Sequence, residues 1–314
     1  MYGSLWWLCL SMKKIRLRIE HLFMLNFAFF AALGHPLGRI IVREMHPIQL
    51  GTVSLLIGLV VLFLYILITG RIKPLARTDK RDILLSSGIG VFGFFFFQIL
   101  TFSALSRIPA SVNAFLINTS VVYISLLAAV FLNERISFTR IIAIVLALLG
   151  VVLVVFNRGF RIEQAIDLLG CLFSILGAVA FSVYSVFGKK LLERNDPINI
   201  VAIAVLSGSI LLSLFTGFTI GYSSLLEISV KIWLLLILLG ATMIGFAYPM
   251  WFLSLRRLPA SHVSLYVYVT PLFAVLLSFL ILHETFGWLF WIGGLFILGG
   301  IVLSHRKELY PSEL

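Results

Sequence analysis

Long apolar runs separated by short polar segments dominate the chain. Each run extends for about 20 residues, the length at which an α-helix crosses the roughly 30 Å hydrocarbon core of a bilayer. Most runs are apolar on every side, whereas a helix of a soluble protein has a polar face. The pattern predicts an all-α membrane protein with ten transmembrane helices. The predicted helices are Leu22–Ile41, Pro47–Thr69, Ile83–Leu105, Ala110–Leu132, Phe138–Phe156, Leu168–Phe187, Pro197–Phe218, Ile232–Leu255, Ala260–Leu282 and Phe286–Ser304.

The chain repeats itself at a constant spacing of 150 positions. Glycine, proline, serine, arginine and glutamate recur at this spacing, so chance similarity between Leu-rich segments is a poor explanation. The related pairs are Gly38 and Gly188, Pro47 and Pro197, Gly58 and Gly208, Gly90 and Gly240, Arg107 and Arg257, Pro109 and Pro259, Ser111 and Ser261, Glu134 and Glu284, and Gly150 and Gly300. The sequence therefore predicts an internal duplication of one five-helix unit.

Five crossings per unit place the start of the second unit on the opposite side of the membrane from the start of the first. The two repeats are thus predicted to be inverted. We expect an N-terminal cytoplasmic segment at 1–21, a first repeat at 22–156, a linker at 157–167, a second repeat at 168–304 and a cytoplasmic tail at 305–314.

The distribution of basic residues predicts the orientation of the helices. Eighteen of the 24 lysines and arginines lie on the side of the two termini, which by the positive-inside rule is the cytoplasmic side. We therefore expect a multi-pass protein of the cytoplasmic (inner) membrane with both termini inside. The net charge of +11 then reflects topology beside anionic lipid. The lipid bilayer is the expected partner, and no nucleic-acid partner is expected.

Composition argues against several classes of function. Of the residues, 61% are hydrophobic and 12% are charged. Cys9 and Cys171 are the only cysteines, and His283 with Glu284 lacks the second histidine of a zinc helix, so we expect no disulfide framework, metal or cofactor. Glycine-rich phosphate loops are absent, which argues against ATP-driven pumping. A membrane-embedded enzyme or a receptor stays open as an alternative, but no catalytic cluster or long soluble segment supports either.

The doubled motifs resemble the EamA-type drug/metabolite transporter superfamily. The residues that carry the resemblance are the "RIPAS" of Arg107–Ser111, the matching "RLPAS" of Arg257–Ser261, the glutamates Glu134 and Glu284, and the late glycines Gly150 and Gly300. The resemblance covers the chain from about residue 22 to residue 304. It implies a small-molecule carrier, often an exporter of amino acids or related metabolites, with a central cavity formed by helices 1, 3, 4, 6, 8 and 9.

The chain departs from the family pattern at one place. The ninth-helix pattern is present as Pro271 to Ala274, but Val121 occupies the position in the fourth helix that corresponds to Pro271. Because proline disturbs a helix, we expect a kink in one half that the other half lacks.

Polar and aromatic side chains inside the spans are the candidate substrate-binding residues, since inverted repeats commonly enclose a substrate site near the membrane midplane. Repeat equivalence pairs Gln98 with Tyr248, Thr101 with Trp251, and Asn118 with Tyr268. The other candidates are Asn26, Ser182, Tyr184 and Tyr266. Such residues also hydrogen-bond between membrane helices, so a packing role stays open for each of them.

Carboxylates are absent from the middle of every predicted span, although such groups are the usual proton or sodium relay. We therefore hypothesise facilitated diffusion or exchange. Glu134 and Glu284 are interpreted as loop anchors that link helix 4 to 5 and helix 9 to 10. The predicted activity is export of small amphipathic metabolites, with bulky apolar or aromatic amino acids first, by a protein that functions as a monomer. Uptake or exchange of nucleoside-like or cofactor-like metabolites is the alternative.

Overall fold

The structure is a computed structural model that describes residues 19–71, 78–108, 113, 116–156, 167–282 and 287–309. Ten helices, and no strand, occur within those residues. The first repeat contains α1 (Ile19–Ile41), α2 (Pro47–Ile68), α3 (Lys80–Leu105), α4 (Ser120–Phe131, after a helical turn at 116–118) and α5 (Phe138–Phe156). The second contains α6 (Leu168–Leu191), α7 (Pro197–Thr219), α8 (Val230–Arg257), α9 (Ala260–Leu282) and α10 (Trp288–Leu309).

Capping residues explain where several helices begin. Proline occupies the first turn of α2 and α7, where a missing amide proton costs nothing. His46 caps α2 by accepting a hydrogen bond from the Ile48 amide, and Asp196 caps α7 in the same way through the Ile198 amide. Asp167 caps α6. The duplicated Pro47 and Pro197 therefore mark equivalent helix starts.

The described helix ends agree with the sequence expectation within five residues. The start expected at Ala110 and the one at Phe286 lie outside the described residues. Where the ends differ, the helices are mostly longer than the apolar runs, as at Lys80 in α3 and Arg257 in α8. A helix can continue beyond the hydrocarbon because its backbone hydrogen bonds are satisfied internally in either solvent.

Membrane insertion agrees with the length and apolar character of these helices. Among the described residues, five stretches satisfy both criteria for a span, namely Pro47–Ile68, Lys80–Leu105, Leu168–Leu191, Pro197–Thr219 and Val230–Arg257. Shorter apolar helical stretches occur at Leu116–Phe131, Phe138–Leu153 and Trp291–Leu303. The protein is a multi-pass membrane protein.

Contacts between helix ends agree with inverted repeats. We call the face at which α1 begins the first face and the face at which α1 ends the second face. Arg257 forms an ion pair with Glu20 at the start of α1. Its repeat equivalent Arg107 pairs with Asp167 at the start of α6. Equivalent arginines therefore lie on opposite faces, as five crossings per repeat require.

Six of the eight glycines that mark the duplication, all except Gly38 and Gly188, lie where helices of different repeats approach closely. A Cβ on Gly58 of α2 would lie 2.9 Å from the Gly240 carbonyl oxygen of α8, and one on Gly208 of α7 would lie 3.0 Å from the Gly90 carbonyl oxygen of α3. In the pair formed by α5 and α10, a Cβ on Gly150 would meet the Gly293 carbonyl oxygen at 2.6 Å. Small residues permit this kind of close packing in a bilayer.

Helix irregularities occur at equivalent places in both repeats. α3 contains a π-helical segment at Val91–Phe96, and α8 contains one at Gly240–Ala247. α9 includes a 3₁₀ segment at Ser264–Val269, directly before Thr270 and Pro271. In the first repeat a turn at Thr119 separates the helical residues 116–118 from Ser120.

The expected asymmetry between α4 and α9 is therefore only partial. Pro271 removes an amide donor and crowds the preceding turn of α9, which favours the tighter 3₁₀ form. α4 has Val121 there, yet its helix is also interrupted two residues earlier, at Thr119, whose hydroxyl donates to the Leu116 carbonyl oxygen. A threonine side chain that bonds its own backbone competes with the regular helical ladder.

Candidate functional site

A cavity of about 180 Å³ lies between the two repeats. It is bordered by α1, α2 and α3, the turn before α4 and the start of α4, and by α6, α8 and α9. The lining residues are Phe27, Ala31, Gly34, Ser54, Phe97, Gln98, Thr101, Phe102, Leu105, Asn113, Ile117, Asn118, Ser120, Phe181, Leu239, Met243, Ile244, Tyr248, Val267 and Thr270. Gly34, Leu105 and Asn113 lie toward the second face, so the cavity occupies that half of the bundle and is partly open.

Four of the ten residues predicted for the substrate site line this cavity. They are Gln98 and Thr101 of α3, Asn118 before α4, and Tyr248 of α8. Gln98, Asn118 and Tyr248 are buried, and Thr101 is half-buried. The helical spacing between Gln98 and Thr101 puts both on one face of α3, and that face borders the cavity.

An aromatic layer lies one helical turn closer to the first face than the cavity. Trp251 packs between Phe27 and Phe181, with ring centroids 4.7 Å and 5.3 Å apart. Tyr184 contacts Phe94 at 5.1 Å and Phe252 at 4.9 Å. The structure therefore places the predicted Trp251 and Tyr184 beneath the cavity, where they close it, and neither residue is part of its lining.

The remaining predicted residues take other positions. Tyr268 is fully buried beside the cavity-lining Val267 but does not itself line the cavity. The Tyr266 hydroxyl lies 2.7 Å from Nδ1 of His21, close to the first face. Ser182 donates to the Ala178 and Ser120 carbonyl oxygens, which is the packing role that sequence reasoning left open. Asn26 donates to the Leu22 carbonyl oxygen of its own helix.

Sequence reasoning missed several residues of the lining. Phe27 and Phe181 are aromatic residues in Phe-rich spans, where nothing distinguishes a cavity wall from packing. Ser120 and Thr270 carried a usable signal, because both bear hydroxyls and are separated by the repeat spacing of 150 positions. That signal was overlooked because these two residues are less polar than Gln98 or Asn118.

Electrostatically, the cavity is neutral. None of the described residues that line it carries a formal charge. Amides and hydroxyls can bind charged or neutral polar groups, but they do not compensate the desolvation of a ligand with a net charge. The described residues also contain no group of three or more His, Cys, Asp or Glu side chains that could hold a metal ion.

The first face of the bundle is built differently, around the carboxylate of Glu134. Oε1 accepts hydrogen bonds from Nζ of Lys189 at 3.1 Å and from the Ala260 amide at 2.7 Å. Oε2 accepts from the Ser261 amide at 3.2 Å and from the Ser261 hydroxyl at 2.7 Å. The partners belong to α6 and to the start of α9, so this glutamate, expected to link α4 to α5, instead connects the two repeats. Glu284 lies outside the described residues.

The pKa of the Glu134 carboxyl reflects these contacts. Burial by itself raises the pKa, but the Lys189 ammonium, the Ser261 hydroxyl and the backbone amides of Ala260 and Ser261 together outweigh it. The pKa of Glu134 is therefore lowered below its ordinary value, and the group is a carboxylate at neutral pH.

Further polar contacts connect the two repeats at the same face. Nη1 of Arg140 donates to the Ser261 hydroxyl at 2.6 Å, which extends the Glu134 network to α5. Arg257 donates to Glu20, whose side chain is 5% exposed. Arg71 pairs with Asp196 at 2.6 Å. The first face thus holds several charged contacts between the repeats.

A ten-helix bundle of inverted repeats around a neutral central cavity is the architecture of a membrane transporter. A sequence profile of the EamA-like transporter family matches residues 18–156 and again residues 168–306. The chain belongs to the EamA-like transporter family and carries two copies of its domain.

The relatives of this chain are named as transporters. It is 26% identical over 295 residues to the uncharacterized transporter YdfC of Bacillus subtilis, covering 94% of this chain and 92% of that protein. It is 26% identical over 269 residues to an uncharacterized transporter of Archaeoglobus fulgidus, covering 85% and 91%. It is also 26% identical over 234 residues to a probable terminal-alkyne amino-acid exporter of Streptantibioticus cattleyicolor, covering 74% and 76%.

A solved crystal structure shares the fold. It superimposes with a TM-score of 0.76 over 91% of this chain and 97% of its own length, at 21% identity.

Proposed function

We propose that this transporter exports amino acids or related small amphipathic metabolites by alternating access through the central cavity. The observation that carries the proposal is the arrangement of one uncharged cavity between the repeats, partly open in the half toward the second face. Beneath it lie the aromatic layer and then the Glu134 network, which close the path to the first face. A cavity that lies nearer one face than the other is the arrangement expected of one conformation in an alternating-access cycle.

The proposed direction, export, rests on the named activity of one relative, whereas the orientation only assigns the conformation. If the basic first face is cytoplasmic, as the positive-inside rule predicts, the cavity in this conformation faces the outside of the cell membrane. In the proposed export cycle, cargo enters from the cytoplasm in the opposite conformation and leaves in this one. The named activity of the Streptantibioticus cattleyicolor relative supports amino acids as the cargo class.

Cargo movement is proposed to be uncoupled from protons or sodium. None of the described lining residues is an aspartate or a glutamate, so the cavity contains no carboxylate relay. A monomer suffices for this mechanism because both halves of the cavity come from one chain.

Counterflow in proteoliposomes tests the proposed function. Vesicles loaded with unlabelled L-phenylalanine should accumulate labelled L-phenylalanine, and abolishing the proton gradient should leave the rate unchanged. Gln98→Leu and Asn118→Leu should lower the rate, since both side chains line the cavity. Tyr266→Phe is the matched control, because the Tyr266 hydroxyl contacts His21 near the first face.

Two results would contradict parts of the proposal. Counterflow of labelled adenosine in place of phenylalanine would replace the amino-acid cargo by the nucleoside-like alternative. Strict dependence on a proton gradient, abolished by a single carboxylate substitution, would refute uncoupled transport.

A further inference from the structure

Among the described residues, four of the eight buried hydroxyls that lack a hydrogen-bond partner lie in the wall of the cavity. The side-chain oxygens of Ser54, Thr101, Ser120 and Thr270 are buried and make no hydrogen bond within the protein. All four residues line the cavity, and they come from four different helices. Buried polar groups are almost always satisfied, because leaving one unpaired costs its full desolvation. Four such groups around one cavity are therefore suited to a polar ligand.

Ser120 and Thr270 stand out among these four residues. They are repeat equivalents, each more than nine-tenths buried. Each is also the first residue of a regular α-helical segment, Ser120 after the turn at Thr119 and Thr270 after the 3₁₀ segment of α9. The Ser120 carbonyl oxygen accepts a hydrogen bond from Ser182, so the backbone at this break is held while the hydroxyl has no protein partner.

The surroundings of these hydroxyls define the chemistry of a ligand. A hydroxyl can donate to a carboxylate and accept from an ammonium group, and the lining amides of Gln98 and Asn118 can do the same. The absence of formal charge in the described lining disfavours a ligand with a net charge. Phe27, Phe181 and Met243 offer apolar contact in the same cavity.

The volume of the cavity limits the size of the ligand. An apolar cavity of roughly 150 Å³ accommodates benzene, whereas pockets for drug-sized ligands span about 300–1,000 Å³. A volume of about 180 Å³ therefore fits one ring or branched side chain with a small polar head.

We infer that Ser120 and Thr270 are the specificity-determining pair of this transporter, and that their hydroxyls bind the polar head of a compact zwitterionic cargo. The inference rests on the proposed function and deepens it. One hydroxyl from each repeat holds the head of the cargo, while its apolar group lies against the aromatic and methionine side chains.

Three probes that share one ring and differ in charge test this pair. They are the zwitterion L-phenylalanine, the anion 3-phenylpropionate and the cation 2-phenylethylamine, each measured by counterflow with the full-length protein. The wild type should prefer phenylalanine by about tenfold or more in apparent KM. Ser120→Ala and Thr270→Val should each raise the KM for phenylalanine about tenfold, which corresponds to about 1.4 kcal/mol. In both variants the preference for phenylalanine over the two charged analogues should become smaller.

Matched controls separate ligand binding from packing. Thr270→Ser keeps the hydroxyl and should keep a near-normal KM. Ser125→Ala and Ser264→Ala remove buried hydroxyls that already donate to the Val121 and Ser261 carbonyl oxygens, and neither residue lines the cavity. Both should leave KM unchanged. The melting temperature of ligand-free Ser120→Ala and Thr270→Val protein should not fall, because no protein hydrogen bond is lost.

The outcomes distinguish this inference from the proposed function. If the wild type moves none of the three probes, the proposed amino-acid export is wrong, and this inference is wrong with it. If it moves phenylalanine but Ser120→Ala and Thr270→Val keep the wild-type KM and preference, the transporter assignment stands and the specificity pair is refuted. A lower melting temperature together with an unchanged KM would assign both hydroxyls to packing.

Discussion

The two halves of the bundle, divided by the membrane midplane, treat polar groups in opposite ways. Toward the first face, Glu134 receives four hydrogen bonds from Lys189, Ala260 and Ser261, so its charge is compensated within the protein. Toward the second face, the cavity carries no charge, and hydroxyls such as those of Ser120 and Thr270 have no protein partner. The charge of Glu134 is therefore compensated within the protein, whereas the cavity presents hydroxyls without a protein partner, as the proposed function requires.

This difference indicates which contacts stabilise the observed conformation. The contacts that close the first face join α4 to α6 and α9, and so they cross the boundary between the repeats. In the proposed alternating-access cycle, opening that face requires those contacts to separate, while cargo binds in the cavity without disturbing them. Substitutions in the two regions should consequently alter different measurements.

The largest effect is expected for Glu134→Gln. The neutral amide cannot pair with Lys189 or accept as well from the start of α9, so the closed first face should lose about 3 kcal/mol, on the order of 100-fold in the conformational equilibrium. The measurement uses Met243→Cys in a background with Cys9 and Cys171 changed to serine. A membrane-impermeant maleimide should label this cavity position from the second face only, and in Glu134→Gln from the first face as well.

Glu193→Gln is the control for this experiment. Glu193 is an exposed glutamate just beyond α6 at the same face, so its substitution should leave labelling at the wild-type pattern. Labelling from the second face alone in Glu134→Gln would show that the network does not hold this face shut.

A smaller effect in the same direction is expected for Lys189→Met. Glu134 then keeps its three donors from Ala260 and Ser261, so the loss should be roughly 1–2 kcal/mol. A double-mutant cycle with Glu134→Gln should give a coupling energy of that size. Additive effects of the two substitutions would mean that Lys189 and Glu134 act separately.

The repeat-equivalent arginines sharpen the comparison further. Arg257→Gln should lower the melting temperature more than Arg107→Gln, because the side chain of Glu20 is 5% exposed while that of Asp167 is 35% exposed. The difference rests on the burial of Glu20, since Arg257 itself is 66% exposed and Arg107 is 43% exposed. The second pair, exposed at both partners, should contribute nothing measurable at high salt. Equal losses, both removed by salt, would contradict a stronger closure at the first face.

The smallest effect concerns pH. Because the pKa of Glu134 is lowered from its ordinary value of 4.5, its contribution to stability is fully present above pH 4.5 and is lost as the pH falls through the folded-state pKa. The difference in melting temperature between wild type and Glu134→Gln should stay constant from pH 7 to about pH 5 and shrink below pH 4.5. A difference that grows on acidification would refute the lowered pKa.

Repeat equivalence predicted part of the site and misplaced another part. Gln98 and Tyr248 line the cavity together, as their shared register requires. Thr101 also lines it, but its equivalent Trp251 lies in the aromatic layer. Inverted repeats reverse the direction of the helix through the membrane. A step of one turn therefore moves toward the second face in α3 and toward the first face in α8, away from the cavity.

The partners of Glu134 were beyond sequence reasoning for a different reason. Its position at the end of a helix suggested a local anchor, since neighbouring loops are the nearest candidates along the chain. The actual partners, Lys189 and the start of α9, are far away in sequence and close only after the repeats interlock.

The number of helices, the duplication and the inversion were determined by the sequence alone, because each follows from apolar length and from a repeated pattern along the chain. Each segment must by itself be long and apolar enough to cross the bilayer, so these features can be predicted without knowing which helices pack together. Only the tertiary structure decided which polar groups satisfy each other and which are left facing the cavity. That division depends on how ten helices rotate and approach, and these contacts are made between residues that no local pattern connects.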